Sequence, residues 1–292
     1  MILPKFSYLE PKQIAEACSL LEEYGVEAKV LAGGTDLLVK MKQGLLNPKY
    51  LVSLKNLTEL NFIRFDGQTG LALGAMVSLN SILESPLVRE NYYGLAEAVE
   101  SMAAVQIRNT GTLGGNLGNA SPAADTAPAL IAYGAKLKLV GRRGERMLPV
   151  EEFFAGPGQT VLSKGEIIAE VLLPPPPVST GGAYQRFGLR RSSALAVASA
   201  AAVVSLKDGV CQNAGIALGA VAPVPLRIPD AEKVLAGRAI EDGAVMEAAK
   251  QAREAARPIS DIRGSGEYRR ELIEVLVSRA ISEAVKRAKE RE

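Results

Sequence analysis

Apolar residues recur along this chain in two rhythms, and their alternation divides it. From Gln13 to Tyr24 the positions Ile14, Ala17, Leu20 and Leu21 keep helical spacing up to Gly25, a natural stop. Ala28–Leu31 then reads as a short strand, Asp36–Met41 as the start of a second helix and Tyr50–Leu54 as another strand. Phe62–Phe65 and Leu71–Leu73 flank Asp66-Gly67 as a hairpin. Ser78 is placed to cap a helix through Leu83, and Tyr92–Ala104 and Ala123–Tyr133 carry further helical patterns. Lys136–Val140 and Arg146–Val150 bracket a Gly-Arg-Arg-Gly turn, and Ile167–Leu173 is a strand that runs into four prolines, Pro174–Pro177. Such a run is stiff and extended, and it is the best domain boundary the chain offers.

Beyond the prolines, Ala183–Leu189, Ala194–Leu206 and Val210–Leu218 read as strands, the last two joined at Asp208-Gly209. Helical patterns follow over Asp230–Leu235, Asp242–Ala256 and Glu267 to about Lys289. The charged end, Lys286–Glu292, reads as a solvated, fraying helix terminus. The chain therefore divides into a small α/β unit, a second mixed unit, and an antiparallel sheet covered by helices.

Two glycine-rich segments interrupt these rhythms: Ala32-Gly33-Gly34-Thr35-Asp36-Leu37 and Gly111-Thr112-Leu113-Gly114-Gly115-Asn116. Each pairs adjacent glycines with a hydroxyl residue and is expected to lie where the chain turns into a helix, the second opening the helix at Ala123–Tyr133. Glycine lets main-chain N–H groups approach a ligand, and successive N–H groups form an anion-binding nest. Two such segments, with Thr35 and Thr112 able to donate hydroxyl hydrogen bonds, point to two linked phosphates and hence to a dinucleotide. At Gly115 the backbone is expected to approach that diphosphate at positive φ, with no room for a side chain. No G-x-G-x-x-G follows a strand and no G-x-x-x-x-G-K-[ST] occurs, so neither the Rossmann nor the P-loop fingerprint is present.

Composition narrows the chemistry. The 292 residues are 48% hydrophobic and 23% charged with a net charge of +2, ordinary for a soluble globular chain, with no pull toward nucleic acid or anionic membrane. The start, Met1 to Phe6, has no signal-peptide core, and the longest apolar run, Ala194–Leu206, is too short to span a bilayer; the expectation is a cytoplasmic protein. Asn56-Leu57-Thr58 is then a chance sequon. With no histidine, imidazole acid–base chemistry, histidine-ligated metals and a histidyl-linked flavin are all excluded. Two cysteines, Cys18 and Cys211, are too few for an iron–sulfur cluster and read as buried free thiols.

The run Gln106-Ile107-Arg108-Asn109-Thr110-Gly111-Thr112-Leu113-Gly114-Gly115-Asn116-Leu117-Gly118-Asn119-Ala120-Ser121-Pro122-Ala123-Ala124-Asp125 resembles the flavin-binding signature of molybdenum-containing hydroxylases, and Val30–Leu37 resembles their first loop. The family includes xanthine dehydrogenase, aldehyde oxidase and aerobic carbon monoxide dehydrogenase, and this chain is similar to their medium, FAD-binding subunit. The likeness extends from Phe6-Ser7-Tyr8-Leu9-Glu10-Pro11 to Tyr184–Ala196. It implies an α+β fold: a two-subdomain FAD-binding domain of the vanillyl-alcohol-oxidase type over 1–176, divided near 55/56, then a C-terminal domain over 177–292.

Carried over position by position, the resemblance implies that Val30, Leu31, Ala32, Gly33, Gly34, Thr35, Asp36 and Leu37 wrap the FAD diphosphate with main-chain N–H groups. Thr112, Gly115 and Asn116 would do the same from the opposite side. Ala103, Ile107, Gly118, Ser121 and Asp125 fall at cofactor-contact positions, and Ile167 and Ile168 at apolar contacts near the flavin ring. Arg186 stands where relatives often carry lysine, keeping the charge but changing its geometry. Read on their own, Asp125 could cap a helix, Ser121 could be a turn residue, and Arg108 a structural ion pair. No catalytic side chain and no metal ligand is assigned. Molybdopterin and [2Fe-2S] clusters would lie on a large and a small partner subunit, the whole assembling as a dimer of heterotrimers. The alternatives are a stand-alone flavin oxidoreductase or a non-catalytic nucleotide-binding assembly protein.

Overall fold

The computed structural model describes residues 3–190 and 192–292. Its first unit runs β1 (Ser7–Leu9), α1 (Ile14–Tyr24), β2 (Ala28–Leu31), α2 (Leu37–Lys42) and β3 (Tyr50–Ser53). The strands form a parallel sheet in the order β1-β3-β2. Helix α1 ends where Gly25 turns to φ 51° and donates its N–H to the Leu21 carbonyl. It buries Ala17, Cys18 and Leu21 against Val52, Leu54 and Leu57, and Ile167 and Ala169 from a later strand complete the packing.

The second unit opens with the hairpin β4 (Ile63–Asp66) and β5 (Gly70–Gly74). Asp66 closes its turn by accepting the N–H groups of Gln68 and Thr69, both at 2.9 Å. Six short helices follow: α3 (Leu79–Glu84), α4 (Pro86–Asn91), α5 (Tyr93–Glu100), α6 (Val105–Thr110), α7 (Leu113–Gly118) and α8 (Thr126–Ala132). Ser78 caps α3 through the Ser81 N–H. The strands β6 (Lys136–Gly141), β7 (Gly144–Pro149), β8 (Phe154–Gly156), β9 (Gln159–Thr160) and β10 (Ile167–Leu173) complete the unit. Its main sheet is antiparallel in the order β4-β5-β10-β6-β7.

Two helical readings change here. Tyr92–Ala104 is not one helix: α5 stops at Glu100, Ala103 takes φ 43°, and extended Ala104 precedes α6. Arg108 reaches back from α6 to the Met102 carbonyl at 2.8 Å and the Glu100 carbonyl at 3.4 Å, so its role is to satisfy a helix end, not the ion pair expected of it. Likewise, the second glycine segment does not open the helix at Ala123–Tyr133. It is itself the start of α7, because the Thr112 hydroxyl accepts the Gly115 N–H at 3.1 Å and nucleates the turn there.

The third unit contains β11 (Thr180–Gly188), β12 (Ala196–Lys207), β13 (Val210–Gly219), β14 (Leu226–Arg227), α9 (Pro229–Leu235), α10 (Asp242–Ala255) and α11 (Gly266–Lys289). Its sheet is antiparallel in chain order. Asp208 and Gly209 link β12 to β13 with both φ positive, 52° and 72°, the geometry of a type I′ turn. Every residue of β12 except Lys207 is buried. Ala198, Ala200, Ala202 and Val204 pack toward α9–α11, while Ala201 and Val203, with Tyr184 and Ala217, belong to the core of the second unit. The sheet thus carries helices on both faces, one layer being borrowed from the preceding unit.

The C-terminus is pinned where the sequence suggested fraying. Arg287 pairs with Glu97 at 2.6 Å, Arg291 donates to the Thr180 carbonyl at 3.0 Å, and Glu292 accepts the Gly209 N–H at 3.0 Å. Cys18 and Cys211 are buried free thiols, and burial pushes both thiols up from their ordinary range. Among the described residues no helix is long and apolar enough to cross a membrane.

Candidate functional site

A cleft of about 850 Å³ opens where the three units meet. One wall is the β2–α2 connection, the other is α7 with the turn that follows it, and the start of β10 supplies apolar floor. Val30, Ala32, Gly33, Gly34, Thr35, Asp36, Leu37, Ala103, Ile107, Thr112, Gly115, Asn116, Gly118, Ser121, Asp125, Ile167 and Ile168 all line it. Of the residues singled out in sequence, only Leu31 and Arg186 stand behind that lining.

The first wall has spare donors. Among the described residues, none of the N–H groups of Gly33, Gly34, Thr35 and Asp36 has a protein acceptor. Gly34 sits at φ 74°, the left-handed bend that lets consecutive amides share a concave side. Gly33 has a different reason to lack a side chain: a Cβ there would lie 2.1 Å from the Thr110 carbonyl oxygen and 2.9 Å from Gly111 Cα. The two glycine segments therefore cross backbone on backbone.

The second wall has spent its donors. The N–H groups of Leu113 and Gly114 bond the carbonyls of Val77 and Ala75, Gly115 bonds the Thr112 hydroxyl, and Asn116 bonds the Thr112 carbonyl. The main-chain role expected of Gly115 and Asn116 is thus occupied by the protein itself. Gly115 is helical and has no positive φ; a Cβ there would meet Thr112 Oγ1 at 2.9 Å and Ala32 Cβ at 3.4 Å. What this wall retains for a ligand is side-chain chemistry. The Thr112 O–H is still free to donate, and Asn116, whose Oδ1 accepts from Thr126 at 2.6 Å, keeps its Nδ2 donor. Ser121 is the turn residue foreseen, its hydroxyl accepting the Ala123 N–H at 3.3 Å.

Asp125 precedes α8 but makes no side-chain cap. Its carboxylate accepts the Tyr184 O–H at 2.6 Å and lies 3.0 Å from Arg186 Nε, too poorly aligned for a hydrogen bond although close enough for an ion pair. Both charged side chains are only 8% exposed. Burial pushes the Asp125 carboxyl up from its ordinary range, against the opposing pull of Arg186 and Tyr184; burial likewise raises Tyr184. Arg186 also donates to the Ala194 carbonyl, and Ser193 donates its N–H to the Ala103 carbonyl at 3.1 Å. Together these bonds hold the cleft-lining stretch 193–195 in place. At the floor, Arg146 donates twice at 2.8 Å to Glu166, whose carboxyl is held down to about 2, chiefly by that bond.

Several lining residues were given no role in the sequence reading. Lys40 and Asn119, the latter inside the signature run, meet across the cleft at 2.6 Å, and Met76, Met102, Ala194 and Leu195 add apolar surface. The volume, the apolar floor and the convergent donors on one side are those of a site for an elongated ligand with an anionic middle. A dinucleotide fits that donor set.

Two family models match the chain: the FAD binding domain in molybdopterin dehydrogenase over residues 4–176, and the CO dehydrogenase flavoprotein C-terminal domain over 183–284. The carbon monoxide dehydrogenase medium chain of Hydrogenophaga pseudoflava is 36% identical over 284 residues, 97% of this chain and 98% of that one. The putative xanthine dehydrogenase FAD-binding subunit of Escherichia coli is 31% identical, covering 96% of each. The solved carbon monoxide dehydrogenase from Hydrogenophaga pseudoflava superposes with a TM-score of 0.95, covering 98% of this chain and 99% of that one. The chain belongs to the family of FAD-binding medium subunits of molybdenum hydroxylases, and the α+β fold is that of the carbon monoxide dehydrogenase medium chain.

Proposed function

We propose that this chain is the electron-transfer subunit of a cytoplasmic, multi-subunit molybdenum hydroxylase, holding FAD non-covalently in the cleft. The observation that carries this reading is the set of N–H groups at Gly33–Asp36 left without protein acceptors in a segment lining a dinucleotide-sized space. When bound, FAD supplies the chemistry that gathers electrons arriving singly and passes them to an external acceptor. The chain's own residues bind and orient. The amides of residues 33–36 take the diphosphate, and the Thr35 and Thr112 hydroxyls and the Asn116 side chain donate around it. Ile167 and Ile168 would pack against the ring system and exclude water; Asp125, fixed by Tyr184 and Arg186, would offer a polar contact.

The partners in this reading are a small subunit with [2Fe-2S] clusters and a large subunit with molybdopterin, assembled as a dimer of heterotrimers. The chain's two cysteines and absent histidines support placing those centres elsewhere. We also read 1–176 as the flavin domain, with subdomains of about 1–55 and 56–176, and 177–292 as the C-terminal domain; the proline run between β10 and β11 supports that division.

The test is purification from the native host followed by acid precipitation. FAD should appear in the supernatant, and two further chains should accompany this one. Flavin left in the pellet, FMN in place of FAD, or a lone chain that oxidises a purine or aldehyde by itself would overturn the reading.

A further inference from the structure

Lys40 lines the cleft one helical turn after Asp36, so its side chain leaves α2 on the face that ends the free-amide segment. Its Nζ donates to Oδ1 of Asn119, the residue that closes α7, at 2.6 Å. That bond spans the two walls. Lys40 makes no ion pair among the described residues, even with Asp36 at the favourable i,i+4 spacing. The other carboxylates of the cleft are committed elsewhere, Glu166 to Arg146 and Asp125 to Arg186. The partner of the Lys40 ammonium is therefore a neutral amide, not a carboxylate. The amides beside it are dipoles without net charge, whereas a diphosphate brings about two negative charges into the space they bound.

We propose that Lys40 is the counter-cation of the cofactor's diphosphate and that Asn119 holds it in a resting position, given up when the diphosphate enters. The proposal rests on the flavin reading and adds to it a residue that neither glycine motif contains. It assigns to Lys40 an anion contact and to Asn119 only a positioning role. The two residues are thereby separable: a purely structural bridge would be broken equally from either side, whereas a counter-cation is lost only from one.

The experiment titrates FAD, ADP and riboflavin into the flavin-freed full chain at low and high salt. The proteins compared are the unaltered chain, Lys40→Met, Lys40→Arg and Asn119→Ala, with circular dichroism to confirm folding. Lys40→Met should weaken FAD and ADP by about tenfold at low salt, less at high salt, and leave riboflavin unchanged. Lys40→Arg should restore most of the loss, and Asn119→Ala should bind FAD as tightly as the unaltered chain or more so. Equal affinities for Lys40→Met and the unaltered chain, or matching losses in Lys40→Met and Asn119→Ala, would overturn the proposal. An unaltered chain that binds ADP but not FAD would instead overturn the flavin reading, leaving the ADP arm to decide Lys40; one that binds neither sinks both.

Discussion

The two glycine segments are near-copies in composition and opposites in how they use their hydrogen bonds. Gly33–Asp36 keeps its amides free and folds around nothing of its own, while Leu113–Asn116 bonds every amide to the protein and becomes a helix. The reason lies in their neighbours. The second segment runs past the end of β5, where the carbonyls of Ala75 and Val77 are within reach, and it begins with a threonine that caps it. The first crosses the backbone at Thr110–Gly111, yet its N–H groups meet no acceptor among the described residues. Glycine content alone therefore does not identify an anion nest; the accounting of N–H groups does. A wall whose donors are spent should answer mutation in stability, and a wall whose donors are free should answer in affinity.

The largest effect is expected behind the saturated wall. Arg186→Met leaves the buried Asp125 carboxylate with Tyr184 as its remaining donor, and stranding a buried charge in this way costs about 3–5 kcal/mol. Denaturant unfolding of the flavin-free chain measures it. The double variant Arg186→Met/Asp125→Leu should recover much of that loss, because it removes the stranded charge. Flavin affinity that falls steeply while stability holds would place Arg186 with the free wall and break the division.

Next is the cap. Thr112→Ala removes the acceptor of the Gly115 N–H at the start of α7 and should cost about 1 kcal/mol of stability, with Thr112→Ser restoring it. Thermal unfolding with and without FAD separates this from any lost contact. An alanine variant as stable as the unaltered chain would mean that the Ala75 and Val77 carbonyls alone hold the helix start.

Much of this architecture was readable in the chain. Periodicity located α1 and β2, Ser78 announced its helix, and Asp208-Gly209 specified its turn, because each depends on residues close in sequence. The motif residues other than Leu31 and Arg186 line one cleft. What stayed hidden depends on distant partners or on conformations without a compositional mark. An alanine at φ 43° breaks the helix reading at Ala103, and nothing in an alanine announces it. Asp125 finds Tyr184 and Arg186 some sixty positions away, an ion pair that neither a helix cap nor a cofactor contact, the two roles its local sequence offers, would reveal. The spent amides of α7 depend on β5, and Arg291 and Glu292 are tied down by elements far upstream.

The smallest expected stability change is at the free wall, and it is the sharpest test of the comparison. Thr35→Val keeps the shape of the side chain and removes a hydroxyl whose one hydrogen bond among the described residues is long, 3.5 Å to Asp36. Without a buried partner to strand, the flavin-free protein should unfold within about 0.5 kcal/mol of the unaltered chain. A hydroxyl that donates to a phosphate oxygen only when the cofactor is present contributes to the bound state alone. Its loss should therefore appear as an FAD affinity weakened by about five- to tenfold, read by flavin fluorescence titration. Thr112→Ala provides the contrast, since part of its effect must already be present without flavin. If Thr35→Val destabilises the flavin-free chain as much as Thr112→Ala does, the two walls are not different in kind, and the first segment is one more packed turn.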